Sequence, residues 1–181
     1  MSVGGAAEVA EKLLQVWNDR DLDSFAALLH DDVEWYDPAM ADPPARGRAA
    51  VRAFAEGVLK AFPDFRYEVQ PPVCVAPDGS RCAVVWQISA THLGPLPPLG
   101  YSPTGRQAVI NGVDVLDVQG GLVVRILTAF DPLPAAEQLL GLALRPVPGT
   151  WRGTLAVWLQ RTLAFVARSR ARRGQRTRSW S

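Results

Sequence analysis

Cys82-Ala-Val-Val-Trp-Gln-Ile-Ser-Ala-Thr-His92 reads as one long strand, and the segments on either side of it decide the fold class. By the two-residue repeat of a strand, Trp86, Ile88, Ala90 and His92 share one face. Upstream, Phe65-Arg-Tyr-Glu-Val69 alternates, and Val73–Val75 runs into the turn Pro77-Asp78-Gly79, which predicts a hairpin. Downstream, the Pro- and Gly-rich stretch Gly94–Gly105 is a long connection, and residues 107–118 and 122–130 are two further strands joined at Gln119-Gly-Gly. Before Asp64 the period is helical. Val9, Leu13, Val16 and Trp17 place a helix over 7–29, with a second short helix opening at Asp21 and presenting Phe25, Leu28 and Leu29. Residues 33–37 form a short strand closed by Pro38, and 42–47 a loop. A helix over 47–62 carries Val51, Phe54, Val58, Leu59 and Phe62 and stops at Pro63. Asp131-Pro132 opens a last body helix through about Leu144. Helices first and antiparallel strands later make an α+β order, not an alternating one.

The chain has 181 residues, 48% hydrophobic and 20% charged, which suits one domain with a sizeable core. Its net charge of +1 hides an asymmetry. Residues 1–140 hold 10 Lys/Arg against 18 Asp/Glu, whereas 141–181 hold 9 Arg and no acid. Pro146, Pro148 and Gly149 mark the boundary, so we divide the chain into a body, 1–146, and a helical Arg-rich tail, 147–181. In the tail, residues 150–168 predict an amphipathic helix with Trp151, Leu155, Trp158, Leu159, Phe165 and Val166 on one face. A frayed or disordered run from Arg168 to Arg178 follows. Such a helix packs on the body or a second subunit, or lies on a membrane surface through 150–178. Nucleic acid is disfavoured, since Trp180 alone interleaves with the arginines. No run is long enough to span a bilayer, no signal pattern opens the chain, and Cys74 and Cys82 read as reduced thiols, so a cytoplasmic location is expected.

Several chemistries drop out. Phosphate-binding and dinucleotide glycine loops are absent, as are a His-Glu-x-x-His pair and a Gly-x-Ser-x-Gly elbow. His30 and His92 are the only histidines, too few for a multi-histidine metal site. What remains is a pocket or a proton-transfer site needing neither metal nor cofactor. Asp131 shares strand parity with Val123, Leu127 and Ala129, a mostly apolar face on which a carboxylate would be desolvated and poised for proton transfer. Asp131-Pro132 equally fits a helix cap followed by proline at the first helical position. His92 lies on an apolar face, where it is either a hydrogen-bonded structural residue or a group that polarises a substrate oxygen. On the short early strand Trp35 and Asp37 point one way and Tyr36 the other. Asn111, mid-strand among valines, is a polar candidate for the pocket; Trp86 is a candidate for pocket wall or core; Asp114, beside Gly112, is a lesser candidate on a position open to burial.

Three segments together resemble the SnoaL-like branch of the NTF2-like superfamily, which includes polyketide cyclases. They are Ala61-Phe-Pro-Asp-Phe65; Thr91-His-Leu-Gly94 with Pro103-Thr-Gly-Arg106; and Gly112–Val118, Gly120-Gly121 and Phe130-Asp131, followed by Glu137-Gln-Leu-Leu-Gly141. The match spans roughly 7–144. It implies a curved antiparallel sheet wrapped around a pocket and capped by helices, with Asp131 at the position of the cyclases' acid/base aspartate. It implies catalysis by Asp131 and His92, and contacts from Trp35, Tyr36, Trp86, Asn111 and Leu127 to a small apolar or aromatic ligand. The expected activity is cofactor-independent cyclisation or isomerisation of an enolisable, polyketide-like ketone in a homodimer. The alternatives are a non-catalytic binding protein and an epoxide hydrolase-like enzyme, the latter disfavoured by the missing Arg-x-Asp pair. Arg125 and Leu127 depart from the glutamate and tryptophan common in the family.

Overall fold

Six strands form a single sheet in the order β2-β1-β6-β5-β4-β3. In the computed structural model, which describes residues 5–96, 100–143, 145 and 147–177 (with side chains of the last helix to Ala164), the chain divides into two units, Met1–Leu142 and Ala143–Ser181.

In the first unit, α1 (Ala6–Asp19) ends short of residue 29, and α2 (Leu22–Ala27) is the second short helix read as opening at Asp21. They break at Arg20, which takes a left-handed conformation at φ 58°, and Asp21 caps α2 by accepting the Ser24 N–H. The strand β1 is longer than expected (Leu29–Tyr36), and a two-residue edge strand, β2 (Ala45–Arg46), interrupts the loop before α3 (Arg48–Ala61). The four long strands follow: β3 (Arg66–Val75), β4 (Arg81–Thr91), β5 (Gln107–Gln119) and β6 (Leu122–Phe130). Helix α4 (Pro132–Leu140) ends the unit's regular structure. All strand pairings are antiparallel except β1 with β6, which is parallel, a mixed sheet where a wholly antiparallel one was expected.

The inner face of the sheet packs on α1 and α3 around an aromatic cluster. Trp17 meets Phe25, Trp35 and Phe65 with ring centroids 5.4–5.9 Å apart, and Trp35 meets Phe54 at 5.0 Å. Even-numbered residues of β4 and β5 face inward, so Val84, Trp86, Ala90, Ala108 and Leu116 are all buried.

The segments that carry the family resemblance act as staples between elements. Asp64 accepts the Thr91 N–H at 2.7 Å and the Thr91 hydroxyl at 2.6 Å, tying the end of α3 to the end of β4. Gly94 passes so close to α3 that a Cβ would lie 2.1 Å from the Lys60 carbonyl oxygen, and the Leu93 and Gly94 N–H groups both donate to Ala61 O at 3.0 Å. The Thr104 hydroxyl donates to Leu139 O at 2.6 Å and Arg106 Nε to Gln138 O at 2.8 Å, satisfying carbonyls in the last turn of α4. The Gln138 amide closes the clasp with two bonds to the Val109 main chain.

In the second unit a helix, α5, spans Trp151–Thr177 and so runs past residue 168, where the sequence reading ended it. Its start is set by Thr150, whose hydroxyl accepts the Gly153 N–H at 3.2 Å. Arg178 and Trp180 lie outside the described residues. Among those described, no helix is long and apolar enough to cross a membrane.

Candidate functional site

Between the inner sheet face and helices α1, α3 and α4 lies a cavity of about 260 Å3. The helices contribute no charged side chain to the lining, which on their side includes Leu13, Leu14, Trp17, Phe54, Val58, Ala135 and Leu139. Polar groups come from the sheet and from the residues that follow β1: Asp37, Tyr67, Asp114 and Thr128. The pocket is thus two-sided, with a greasy helical wall facing a polar band on the sheet.

A hydrogen-bonded chain crosses that band. The Trp35 indole N–H donates to Thr128 Oγ1 at 2.9 Å, Thr128 donates to Asp114 Oδ1 at 2.7 Å, and the Tyr67 hydroxyl donates to Asp114 Oδ2 at 2.5 Å. The Trp86 indole N–H sits near enough to Asp114 to favour its charged form slightly, yet makes no hydrogen bond of proper geometry and is left buried without a partner. Burial pushes the Asp114 carboxyl above its usual range, overriding the donors from Tyr67 and Thr128. The Tyr67 phenol is driven well above its ordinary value, by burial first and then by the Asp114 charge, so it stays protonated. The Asn18 side chain pins the Tyr67 backbone at both ends, accepting its N–H at 2.8 Å and donating to its carbonyl at 3.0 Å.

Asp37 is the second carboxylate. It follows β1, is 9% exposed, and binds the Ala39 N–H through Oδ1 at 2.7 Å. Burial, opposed by that bond and reinforced by Asp114, raises its pKa to about 6. Among the described residues, none of those lining the cavity is Lys, Arg or His.

The residues singled out in the sequence separate into three groups. Trp35 and Trp86 line the cavity. Tyr36, Asn111 and Leu127 lie on the opposite face of the sheet. There Tyr36 donates to Glu34 at 3.0 Å and stacks under Arg125 at 5.0 Å, Asn111 accepts from Gln87 at 3.0 Å, and Leu127 is 39% exposed. Asp131 and His92 form the third group and are not brought together with the cavity wall. Asp131 is exposed and caps α4 by accepting the Leu133 N–H at 3.0 Å. His92 is fully buried beside Phe62, with ring centroids 5.8 Å apart. Its Nδ1 meets Thr104 Oγ1 at 3.2 Å, and because Thr104 spends its own proton on Leu139, Nδ1 must be the donor. His92 belongs to the α4 clasp, with Nε2 unpartnered.

The expected apolar inward face for Asp131 fails at a bulge. Asp117 pairs with Arg125 but Val118 with Val123, so Val124 is an extra residue and strand parity inverts there. Val123 is buried, whereas Leu127, Ala129 and Asp131 point outward, and Ile126, Thr128 and Phe130 point in. Arg125 and Leu127, the departures from the family pattern, accordingly lie off the cavity. Sequence reasoning held Asp37 only as a neighbour of Trp35, and missed Tyr67 and Thr128. The usable signal was the shared parity of Trp35 with Asp37.

The SnoaL-like domain pattern matches residues 10–126. No curated protein matches the chain at a significant level. Among solved structures, the chain is similar to AclR, a putative hydroxylase from Streptomyces galilaeus (26% identity, 75% of this chain and 96% of that one, TM-score 0.62). It also resembles IdmH, a putative polyketide cyclase from Streptomyces antibioticus (24%, 75% and 98%, TM-score 0.62). A putative polyketide cyclase from Pseudomonas putida gives 22%, 75% and 98%, with a TM-score of 0.65. At these identities the last two speak for the fold alone.

Proposed function

The chain belongs to the SnoaL-like domain family, whose fold here encloses a small-molecule pocket, and from that premise we propose a cofactor-independent enzyme that moves a proton on an enolisable, polyketide-like ketone. The observation that carries this reading is Asp37, a carboxyl raised to about 6 in the lining of an apolar cavity. Near neutrality it is mostly ionised yet basic enough to take a proton from carbon α to a carbonyl. Asp114 and Tyr67 supply the complementary half. When the Asp114 carboxyl carries the proton of their shared hydrogen bond, the Tyr67 phenol can turn its own O–H from Asp114 to the substrate oxygen as it becomes an enolate. Asp37 then returns its proton, to a second carbon in an isomerisation or to the new alkoxide after ring closure. In this reading Asp131 and His92 hold α4 in place and do not touch the substrate.

The test is solvent-deuterium exchange into a panel of aromatic β-diketones, followed by NMR. Asp37→Asn should lose exchange by about 100-fold or more while retaining ligand binding. Unchanged exchange in that variant removes Asp37 from the mechanism. Binding without exchange in the parent protein would leave the non-catalytic pocket reading. Two carboxyls of raised pKa in one cavity also suit acid-assisted opening of an epoxide, so diol formation from an aryl epoxide would favour that reading instead.

Two partner readings accompany this one. A homodimer is supported by Val85, Val109 and Leu127, exposed on the outer sheet face at 48%, 43% and 39%; sedimentation equilibrium tests it. Peripheral membrane contact through 150–178 is supported by the 8 arginines of that stretch and the Trp151, Leu155, Trp158 stripe. Failure to co-sediment with phosphatidylglycerol vesicles would remove it.

A further inference from the structure

Among the described residues, the charged side chains lining the cavity are two acids, Asp37 and Asp114, and both lie on the sheet side. The helical wall opposite offers no titratable group. The Asp114 oxygens already accept from Thr128 and Tyr67, and Asp37 Oδ1 from Ala39. Among the described residues lining the cavity nothing cationic is left to neutralise a negative ligand, and the aromatic lining gives it no solvation. An anion placed here would lose its water and sit in low dielectric beside like charges, two penalties that add. An uncharged flat molecule meets neither, and its apolar edge finds the rings of Trp17, Phe54 and Trp86. An oxygen-bearing edge must turn toward the sheet, where Tyr67 and the unpartnered Trp86 N–H lie.

We infer that the cavity is a charge filter: it admits an uncharged aromatic ligand whose oxygens lie along one edge, and rejects the same skeleton when it carries a carboxylate. This inference rests on the cavity being the ligand site and narrows the substrate to neutral ketones, phenols or esters. The groups facing Asp37 that bear on it are Asp114 from β5 and Tyr67 from β3; α1, α3 and α4 present none. An anion can still enter by leaving a proton on Asp37, so rejection weakens as the pH falls below about 6.

Three probes of one size and different charge test the filter by isothermal titration calorimetry on the full chain: 2-naphthol, 2-naphthoate and 2-naphthylmethylammonium. At pH 8 the naphthol and the ammonium should bind, and the naphthoate should bind on the order of 30-fold more weakly than the naphthol. At pH 5.5 that gap should narrow several-fold, and Asp37→Asn should narrow it at pH 8. The pH series needs no substitution, so a misfolded variant leaves the test intact. Equal binding of naphthol and naphthoate at pH 8 overturns the filter, as does failure of all three to bind, or a gap that neither pH nor Asp37→Asn alters. Because none of the probes reacts, selective binding without deuterium exchange into diketones would keep the filter and discard the proton-transfer reading.

Discussion

The two faces of the sheet are built from similar residues and do opposite things. On β5 the inward set is Ala108, Ile110, Gly112, Asp114 and Leu116, and the outward set is Val109, Asn111, Val113, Val115 and Asp117. Both are mostly apolar with one or two polar members. Yet Asp114 is 8% exposed, is joined to Trp35, Thr128 and Tyr67 in a chain of three hydrogen bonds and has a raised pKa, while Asn111 is exposed and pairs with Gln87. The difference lies in what covers each face. Helices α1, α3 and α4 remove water from one, so a polar group there must be paired or change its protonation. Along a single strand, residue type alone does not reveal which face the helices cover.

The sharpest way to break this contrast is to exchange the roles of two aspartates. Asp37→Asn should abolish proton exchange by 100-fold or more, and Asp131→Asn should leave it within about two-fold. Exchange rates under saturating diketone check both. Loss in the Asp131 variant alone would return catalysis to the rim and leave the inner face as mere lining.

Stability against pH tests the same burial without any substrate. Asp37 holds its proton up to about pH 6 when folded but only to about 3.8 when unfolded. Between those values the folded state binds more protons, so stability falls as pH rises from 4 to 6, by roughly 2 kcal/mol from this group. Asp114 titrates in the same direction. Denaturant unfolding should therefore show Asp37→Asn matching the parent at pH 4 and exceeding it at pH 8, with a shallower slope between. A parent protein whose stability climbs from pH 4 to 6 would mean that Asp37 is solvated.

Gly112 probes how tightly the inner face is packed. It faces Trp86 across β4 and β5, and a Cβ there would lie 2.4 Å from the indole ring. Gly112→Ala should cost about 1–3 kcal/mol and displace the cavity wall, read as lost thermal stability with altered tryptophan fluorescence. Gly79→Ala makes a useful comparison, because it meets no atom within 4 Å and is strained only by its φ of 71°.

Much of the fold was legible because its signature segments are staples. Asp64, Thr91, Gly94, Thr104, Arg106 and Gln138 each bond or crowd a partner distant in sequence, so their spacing encodes the architecture. The same property made them poor guides to the site. His92 stands within that signature and serves the clasp on α4. Asp131 was legible as a cap and as a candidate acid, and Asp131-Pro132 carries the cap chemistry in the two residues themselves. The acid reading needed strand parity to persist through β6, and the bulge at Val124 inverts it without a glycine or proline to announce it. Tyr67 stood in a segment recognised only as alternating, since its importance comes from Asp114 on a strand two places away in the sheet. Asp131→Ala gauges the cap directly: about 1 kcal/mol of stability lost, with exchange intact.

The smallest expected effect lies on the outer face, and it discriminates best when it is absent. Leu127 is 39% exposed, lies opposite Val115 on β5 and makes no part of the cavity. As a residue of a solvent-facing sheet surface, its replacement by serine should change unfolding free energy by no more than about 0.5 kcal/mol. That value should hold at any protein concentration. If a second copy covers the outer face, the same substitution removes apolar area from an interface, and the loss grows as the protein is concentrated. Unfolding Leu127→Ser at two concentrations a hundred-fold apart therefore separates a bare face from a shared one. A concentration-dependent loss would mean that both faces of the sheet exclude water: the inner one by the chain's own helices, the outer one by its twin. Asn111 and Gln87 would then be a buried polar pair, satisfied by each other.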